Sequence, residues 1–341
     1  MKSAVLTQTG IIEVQETPVA DIGPDDVLIK VLICGVCGTD VHIFEGDKGA
    51  ADNPFPIVLG HEFAGIVEKT GANVRDVHPG DRVCLDPNVQ CGNCYYCKSG
   101  IGHFCEHMTG IGTTVNGGFA QYCAVPSKQV YHLKEDVSFA QGAMAEPLAC
   151  CLHGIDLCQM KAGSRVVIFG GGLIGLLMLQ LARIQGAAQV ILAEPVAAKR
   201  ETALALGADL CVDPINEDLA DVLKNKNIGR IDTVIECVGS VDTIRKAIEI
   251  AGKQSVVMMF GLTKPHEEIT IKPFEIFKKE VTLKASFINP YTIGRAVDLI
   301  NNKKIDTSSM MVEPVPLERL SEVLSNPKMR QKGKCTVNPW L

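Results

Sequence analysis

The chain has 341 residues, 46% of them hydrophobic and 21% charged, with a formal net charge of -6 and a pI near 5.8. That length suits about two domains on the usual ~150-residue scale, and an acidic balance with dispersed Lys and Arg argues against a surface that tracks nucleic-acid phosphates. The opening MKSAVLTQTGIIEVQE lacks a basic start followed by an apolar run, and no stretch approaches the roughly 20 apolar residues of a membrane span, so a cytoplasmic protein with neither membrane nor nucleic-acid partners is expected.

Up to about Cys150, short β-rich runs such as VLIKVLICGV and FAGIVEKTG are separated by Gly, Pro and Asp turns, Pro79-Gly80-Asp81 among them. They predict a compact, barrel-like β domain. Within it, CGNCYYCKSGIGHFC sets Cys91, Cys94, Cys97 and Cys105 at the spacing C-x2-C-x2-C-x7-C, in a lobe over about residues 88–108. Four soft thiolates fill every position of a tetrahedral zinc ion, so this metal would be structural and closed to substrate. Disulfides are the alternative, but the short spacings suit them poorly. Fourteen cysteines without a secretory leader point instead to reduced thiols. Most of the others have apolar or small neighbours and read as core residues.

The pattern changes after AEPLACCLHGIDLC. SRVVIFGGGLIG reads as a buried strand entering a glycine turn, LLMLQLARIQGA as a helix and QVILAE as the next strand. KRETALALGA, DLCVDP, DTVIECVG, VDTIRKAIEIA and QSVVMMFG continue the alternation, which predicts a doubly wound parallel sheet. GRAVDLINNKKI then reads as a helix and GKCTVNP as a closing strand, so the first domain is expected to be discontinuous, 1–152 with 287–341, around a second domain at 153–286. Gly170, Gly172 and Gly175, with Leu173 and Ile174 between the last two, form G-x-G-x-x-G between strand and helix, the context that gives the motif its meaning. A pyrophosphate would sit at the helix N-terminus, held by free N–H groups. Glu194, at the end of the following strand, is placed to bind adenosine ribose hydroxyls and to repel a 2′-phosphate, which favours NAD over NADP. Arg200 is a further candidate cofactor contact, and with Lys199 it offers charge that would act against that preference.

Cys37 in GVCGTDVH and His61-Glu62 in LGHEFAG supply a thiolate, an imidazole and a carboxylate, a mixed set of zinc ligands. Each alone also reads as a core thiol, a hydrogen-bonded core histidine or an ion-pair partner. Taken together they resemble the zinc-dependent medium-chain dehydrogenase/reductase family. Gly60-His61-Glu62, Gly65, Gly71 and Val74 match its zinc signature, with Cys37-Gly38-Thr39-Asp40 before and the four-cysteine lobe after. The resemblance continues through Pro79 to Val83 and the glycine loop and covers essentially the whole chain.

The resemblance implies an α/β protein with a GroES-like β-rich catalytic domain and a Rossmann domain with a doubly wound parallel sheet. It also implies two zinc ions per subunit, one structural and one catalytic, with NAD as cofactor. The catalytic ion would be held by Cys37, His61 and the acidic pair Glu62 and Glu146. Glu146 lies in AEPLACCLHG, which is similar to the EPL segment of the polyol (sorbitol/L-iditol) dehydrogenase-like branch. Either Glu62 binds the metal while Glu146 holds the metal-bound water, or the two exchange roles; Cys150 and Cys151 are weaker candidates. The implied reaction is oxidation of a secondary hydroxyl of a polyol to the ketose. Polyol-phosphate dehydrogenase, threonine 3-dehydrogenase and a non-catalytic NAD(H)-binding protein are the alternatives. Thr39 would take the hydroxyl proton and pass it through the cofactor ribose toward His42, with Asp40 orienting local backbone. Association into a homotetramer, or a dimer, through the cofactor domains completes what the family implies.

Overall fold

The strand Asp26–Gly35 organises the β-rich part of the molecule. Its sequence DVLIKVLICG is apolar along most of its length, so it can be covered on both faces, and it pairs antiparallel with Glu62–Thr70, Tyr122–Pro126 and Thr336–Val337. Arg82–Leu85 and Val130–His132 extend the same sheet beyond Glu62–Thr70. A second sheet joins Ile11–Glu16, Lys2–Gln8 and Ile57–Val58. Leu6, Ile29, Ile57, Phe63, Leu85 and Phe119, each under 2% exposed, meet in the core of these strands.

This computed structural model describes residues 1–47 and 55–341. The described chain divides into two units, Met1–Ala149 with Pro290–Leu341, and Cys150–Asn289. The first unit is therefore discontinuous in sequence. Its last strand, Thr336–Val337, pairs with Cys34 and Gly35, and so brings the C-terminal segment against the strand end that leads into Cys37.

In the second unit six parallel strands run in the order Leu210–Val212, Gln189–Ala193, Arg165–Phe169, Thr233–Glu236, Val256–Met259, Thr282–Ala285. Val166, Val167, Ile168, Val190, Ile191, Leu192, Val234 and Ile235 are fully buried, as strands covered on both faces require. The helix Leu173–Ile184 buries Gly175 through Ala182, which explains why LLMLQLA is apolar almost all round. Connections leave the two central strands, Arg165–Phe169 and Thr233–Glu236, toward opposite ends of the sheet, so the switch point of the fold lies outside their carboxyl ends.

One local element departs from the sequence reading. The segment around Thr39, to which the sequence reading assigned no helix, is helical over Gly38–Glu45. Cys37 stands at the N-cap position, and the Asp40 carboxylate accepts the Cys37 N–H at 2.8 Å, a capping box with cysteine in the usual serine position. Val41, Ile43 and Phe44 bury the inner face of this short helix.

Candidate active site

The helix cap, the start of the Glu62–Thr70 strand and the C-terminal segment meet at one point. Donor atoms of Cys37, His61 and Glu62 lie within 4.8 Å of one another. Gly60 enables the approach: its φ is +96°, and a Cβ there would sit 2.7 Å from the Cys34 sulfur and 2.9 Å from the Phe119 nitrogen. Gly35 clears the other side, since a Cβ there would collide with Oε2 of Glu62.

Around the trio the charges are ordered. Asp40 is fully buried, and while one of its oxygens caps the helix the other faces Nδ1 of His61 at 3.4 Å. Neither of those facing atoms has a hydrogen-bond partner among the described residues. A carboxylate on one ring nitrogen leaves the other for a metal, the arrangement that fixes tautomer and ring orientation in zinc sites. Burial pulls the His61 imidazole down, but the Asp40 carboxylate and the Cys37 thiolate outweigh it and hold it well above its usual value. Lys334 reaches in from the C-terminal segment and pairs with Glu62, both side chains being buried. Burial opposes its charge, but Glu62 and then Cys37 outweigh that effect and raise its pKa.

A thiolate, a carboxylate and an imidazole whose other ring nitrogen faces Asp40, with donor atoms converging within 4.8 Å, fit a mixed-ligand zinc ion that keeps an open position. Glu146 stands in the first turn of the helix Ala145–Cys158, 8% exposed, and is not a fourth member of the trio. Thr39 Oγ1 lies 3.7 Å from the Cys37 sulfur. His42 is one turn further along the same helix, partly exposed, with Nδ1 at 3.1 Å from Asp47.

Cys91, Cys94, Cys97 and Cys105 form the second group of donors within 4.8 Å. Sulfur separations of 3.5 Å for Cys94–Cys97 and 4.0 Å for Cys91–Cys97 bracket the ~3.8 Å edge of a tetrahedron with Zn–S of about 2.3 Å, and all four thiols are free. Main-chain N–H groups of Cys91 and His107 point at the Cys105 sulfur, and that of Asn93 at Cys91. Hydrogen bonds from the Cys97 and Glu106 backbones lower the Cys94 thiol to about 6, which favours thiolate at neutral pH.

The cofactor loop in the other unit is equally specific. Gly170 has φ +96° and turns the chain; a Cβ on Gly172 would meet nothing within 4 Å; one on Gly175 would strike the Gly170 carbonyl. The open side at Gly172 is where a pyrophosphate could approach the backbone. Leu173 and Ile174 open the helix, whose N-cap Gly172 supplies no side-chain cap, so its first N–H groups remain for an anion. Glu194 is 5% exposed, and its two oxygens accept the N–H groups of Gly171 at 2.7 Å and Val196 at 2.9 Å. Arg200 donates to the Glu194 and Pro195 carbonyls and pairs with Asp213 at 3.3 Å. Only the fold reveals that this guanidinium is engaged by its own loop.

Known proteins are similar to this chain over nearly its whole length. The alcohol dehydrogenase GroES-like domain matches residues 23–135, and the zinc-binding dehydrogenase domain matches residues 174–302. D-arabinitol dehydrogenase 1 of Uromyces fabae is 34% identical over 93% of this chain and 91% of its own length. The chain belongs to the zinc-dependent medium-chain dehydrogenases. Within that family it falls in the polyol dehydrogenase-like branch and is an alcohol/polyol dehydrogenase. D-arabitol-phosphate dehydrogenase of Enterococcus avium is 36% identical over 87% of this chain and 85% of its own. A zinc-binding dehydrogenase of Sinorhizobium meliloti 1021, solved with NADP bound, superposes with a TM-score of 0.95 at 40% identity over 99% of both chains. Among the described residues of this dehydrogenase no helix is long and apolar enough to cross a membrane.

Lys334 and the contact between Asp40 and His61 were not read from the sequence. Lys334 follows a glycine near the C-terminus and carries no motif, so only the fold reveals its partner. The capping box C-x-x-D was a usable sign for Asp40, had cysteine been admitted as a cap.

Proposed function

We propose that this dehydrogenase oxidises a secondary hydroxyl of a polyol to the ketone and passes the hydride to NAD. The observation that carries the reading is the convergence of half-buried Cys37 with buried His61 and Glu62, and Thr39 beside them. Cys37, His61 and Glu62 would hold one zinc ion, with Glu146 at the exchangeable water. Zinc bound there supplies Lewis acidity for the alcohol oxygen, and the nicotinamide cofactor supplies the hydride acceptor. Asp40 fixes both ends of the set, through the Cys37 N–H and the His61 ring. Thr39, next to the donor sulfur, would accept a hydrogen bond from the substrate hydroxyl and release its own hydroxyl proton through the cofactor ribose toward His42. His42 receives it near solvent: with Nδ1 donating to Asp47, Nε2 is the basic nitrogen. A second zinc in the four-cysteine lobe would be structural. A reducing cytoplasm suits both sets of free thiols.

The preference for NAD rests on Glu194, whose buried carboxylate opposes a 2′-phosphate, and on Arg200, whose guanidinium would have to give up three acceptors to reach one. Glu194→Ala should lower the ratio of kcat/KM for NAD over NADP by about tenfold or more, as removal of a like-charge clash predicts. An unchanged ratio would remove Glu194 from cofactor choice. Similarity to a polyol-phosphate dehydrogenase favours a second reading, in which the polyol is phosphorylated. Rates of NADH and NADPH formation over free polyols, polyol phosphates, simple alcohols and threonine decide between them. A chelator-sensitive rate on free polyols supports the proposal, and turnover confined to the phosphates replaces it with the second reading.

A further inference from the structure

Glu236 is fully buried at the last position of the strand Thr233–Glu236, one of the two strands that flank the switch point. Its Oε1 accepts the N–H groups of Val238 at 2.8 Å and Gly239 at 2.9 Å and the hydroxyl of Thr243 at 2.8 Å. The second oxygen lies 3.2 Å from the Gly239 nitrogen. Its main-chain carbonyl accepts Phe260 and Gly261, both at 2.9 Å. One residue thus ties together the loop Cys237–Ser240, the first turn of the helix Val241–Ile250 and the turn after the strand Val256–Met259. Gly261 is shaped to it: a Cβ there would lie 2.8 Å from Oε2 of Glu236 and 2.1 Å from the Gly239 nitrogen.

The loop so held is pressed against the glycine loop. A Cβ on Gly170 would be 3.0 Å from Cγ2 of Val238 and 3.6 Å from the Cys237 carbonyl. Yet Val238 remains 52% exposed at the loop's tip, an apolar side chain facing outward from a braced backbone. On the other flank Glu194 does for the glycine loop what Glu236 does for this one, through Gly171 and Val196. The two carboxylates therefore stand one strand to either side of Arg165–Phe169, at its carboxyl end. In a doubly wound sheet a dinucleotide lies across that switch point, its adenosine half over the first β-α-β unit and its nicotinamide half over the second.

We propose that Glu236 is a positioning residue for the nicotinamide half of the cofactor, acting through the loop Cys237–Ser240. The proposal rests on the dinucleotide-dependent reading above. Removing this buried acceptor leaves the Val238 and Gly239 N–H groups unpaired and frees the Thr243 hydroxyl to turn to the Ser240 carbonyl, and the loop then loses its fixed shape. The adenosine half is set by Glu194, which holds Gly171 and Val196 through hydrogen bonds that do not involve Glu236.

NADH and ADP binding to the zinc-replete protein tests this, with ADP as the probe of the adenosine half alone. Thr243→Val, which removes one donor, should weaken NADH about fivefold and leave ADP within about twofold. Glu236→Ala should weaken NADH by about 30-fold or more, again with little effect on ADP, and Glu236→Gln, which keeps one acceptor oxygen, should rescue most of the loss. The KM for cofactor should rise in parallel, with kcat at saturating cofactor changed by far less. Equal losses of NADH and ADP, or none in Thr243→Val and Glu236→Ala, would overturn the positioning role and leave the oxidoreductase reading standing. Wild-type protein that binds ADP but not NADH would overturn both.

Discussion

The two donor clusters of the first unit are built on opposite principles. Cys91, Cys94, Cys97 and Cys105 are four identical donors within one short stretch, served by local N–H groups. Cys37, His61 and Glu62 are three different donors from two separate segments, surrounded by Asp40 and by Lys334 from the far end of the chain. With zinc bound, the first set would close a tetrahedron and could only hold the lobe together. The second would leave a position open, and its donors are held from behind by Asp40 and Lys334. A closed site needs only local sequence, whereas an open one needs the whole fold to keep its ligands aimed.

That contrast can be broken experimentally. The largest effect is expected from Cys37→Ala, which should abolish one zinc and reduce kcat/KM by well over 100-fold, more than loss of a supporting contact, while leaving the melting temperature close to wild type. Cys94→Ala should do the reverse, with a large loss of stability and a smaller fall in activity per folded molecule. Zinc content, melting curves and rates on the two variants settle it; matching phenotypes would erase the distinction. Lys334→Met comes next. It strands the buried Glu62 carboxylate in the metal-free protein and should destabilise that form by about 3–5 kcal/mol, with Lys334→Arg much milder. Chemical denaturation after chelation measures the difference, and an undisturbed Lys334→Met protein would mean the pair carries no weight.

Asp40→Asn is expected to act on the metal more than on the fold, weakening zinc at the open site by about 10- to 100-fold as a second ring-nitrogen partner is lost. Competition with a chromophoric chelator reads this directly, and unchanged affinity would deny Asp40 its orienting role. The smallest effect is one of pH. The Cys94 thiol sits below its ordinary value of 9.0, at about 6, so its contribution to the metal-free lobe is complete above about pH 9 and is lost as pH falls through about 6. Zinc binding by the metal-free lobe should therefore weaken as pH falls from about 7 to about 5, because the ion must then displace a proton from Cys94 as well. A zinc affinity that is flat over that range would show that Cys94 is not the thiolate the backbone prepares.

The legibility of the sequence follows the same division. The parallel sheet could be anticipated because RVVIF, QVILA and TVIE are continuous apolar runs, and runs of that kind survive only when both faces are covered. The glycine loop could be anticipated because each glycine answers a local steric need. The helix Gly38–Glu45 escaped notice, since its cap is a cysteine and its apolar face is only three residues wide. Lys334, Asp40 against His61, and Glu236 were hidden for a different reason. Each acts through a buried polar contact, and such contacts leave no periodicity in the chain.

The central claim is that one chain holds two zinc ions of unlike character, one exchangeable and tied to alcohol oxidation, the other closed and tied to the fold. Stepwise removal of zinc by a chelator, followed by metal analysis, polyol oxidation and far-UV circular dichroism on the same samples, tests it most directly. The account predicts two phases: loss of the first ion with activity while the spectrum is unchanged, then slower loss of the second with loss of structure. Both ions leaving together, or full activity after the first has gone, would contradict it.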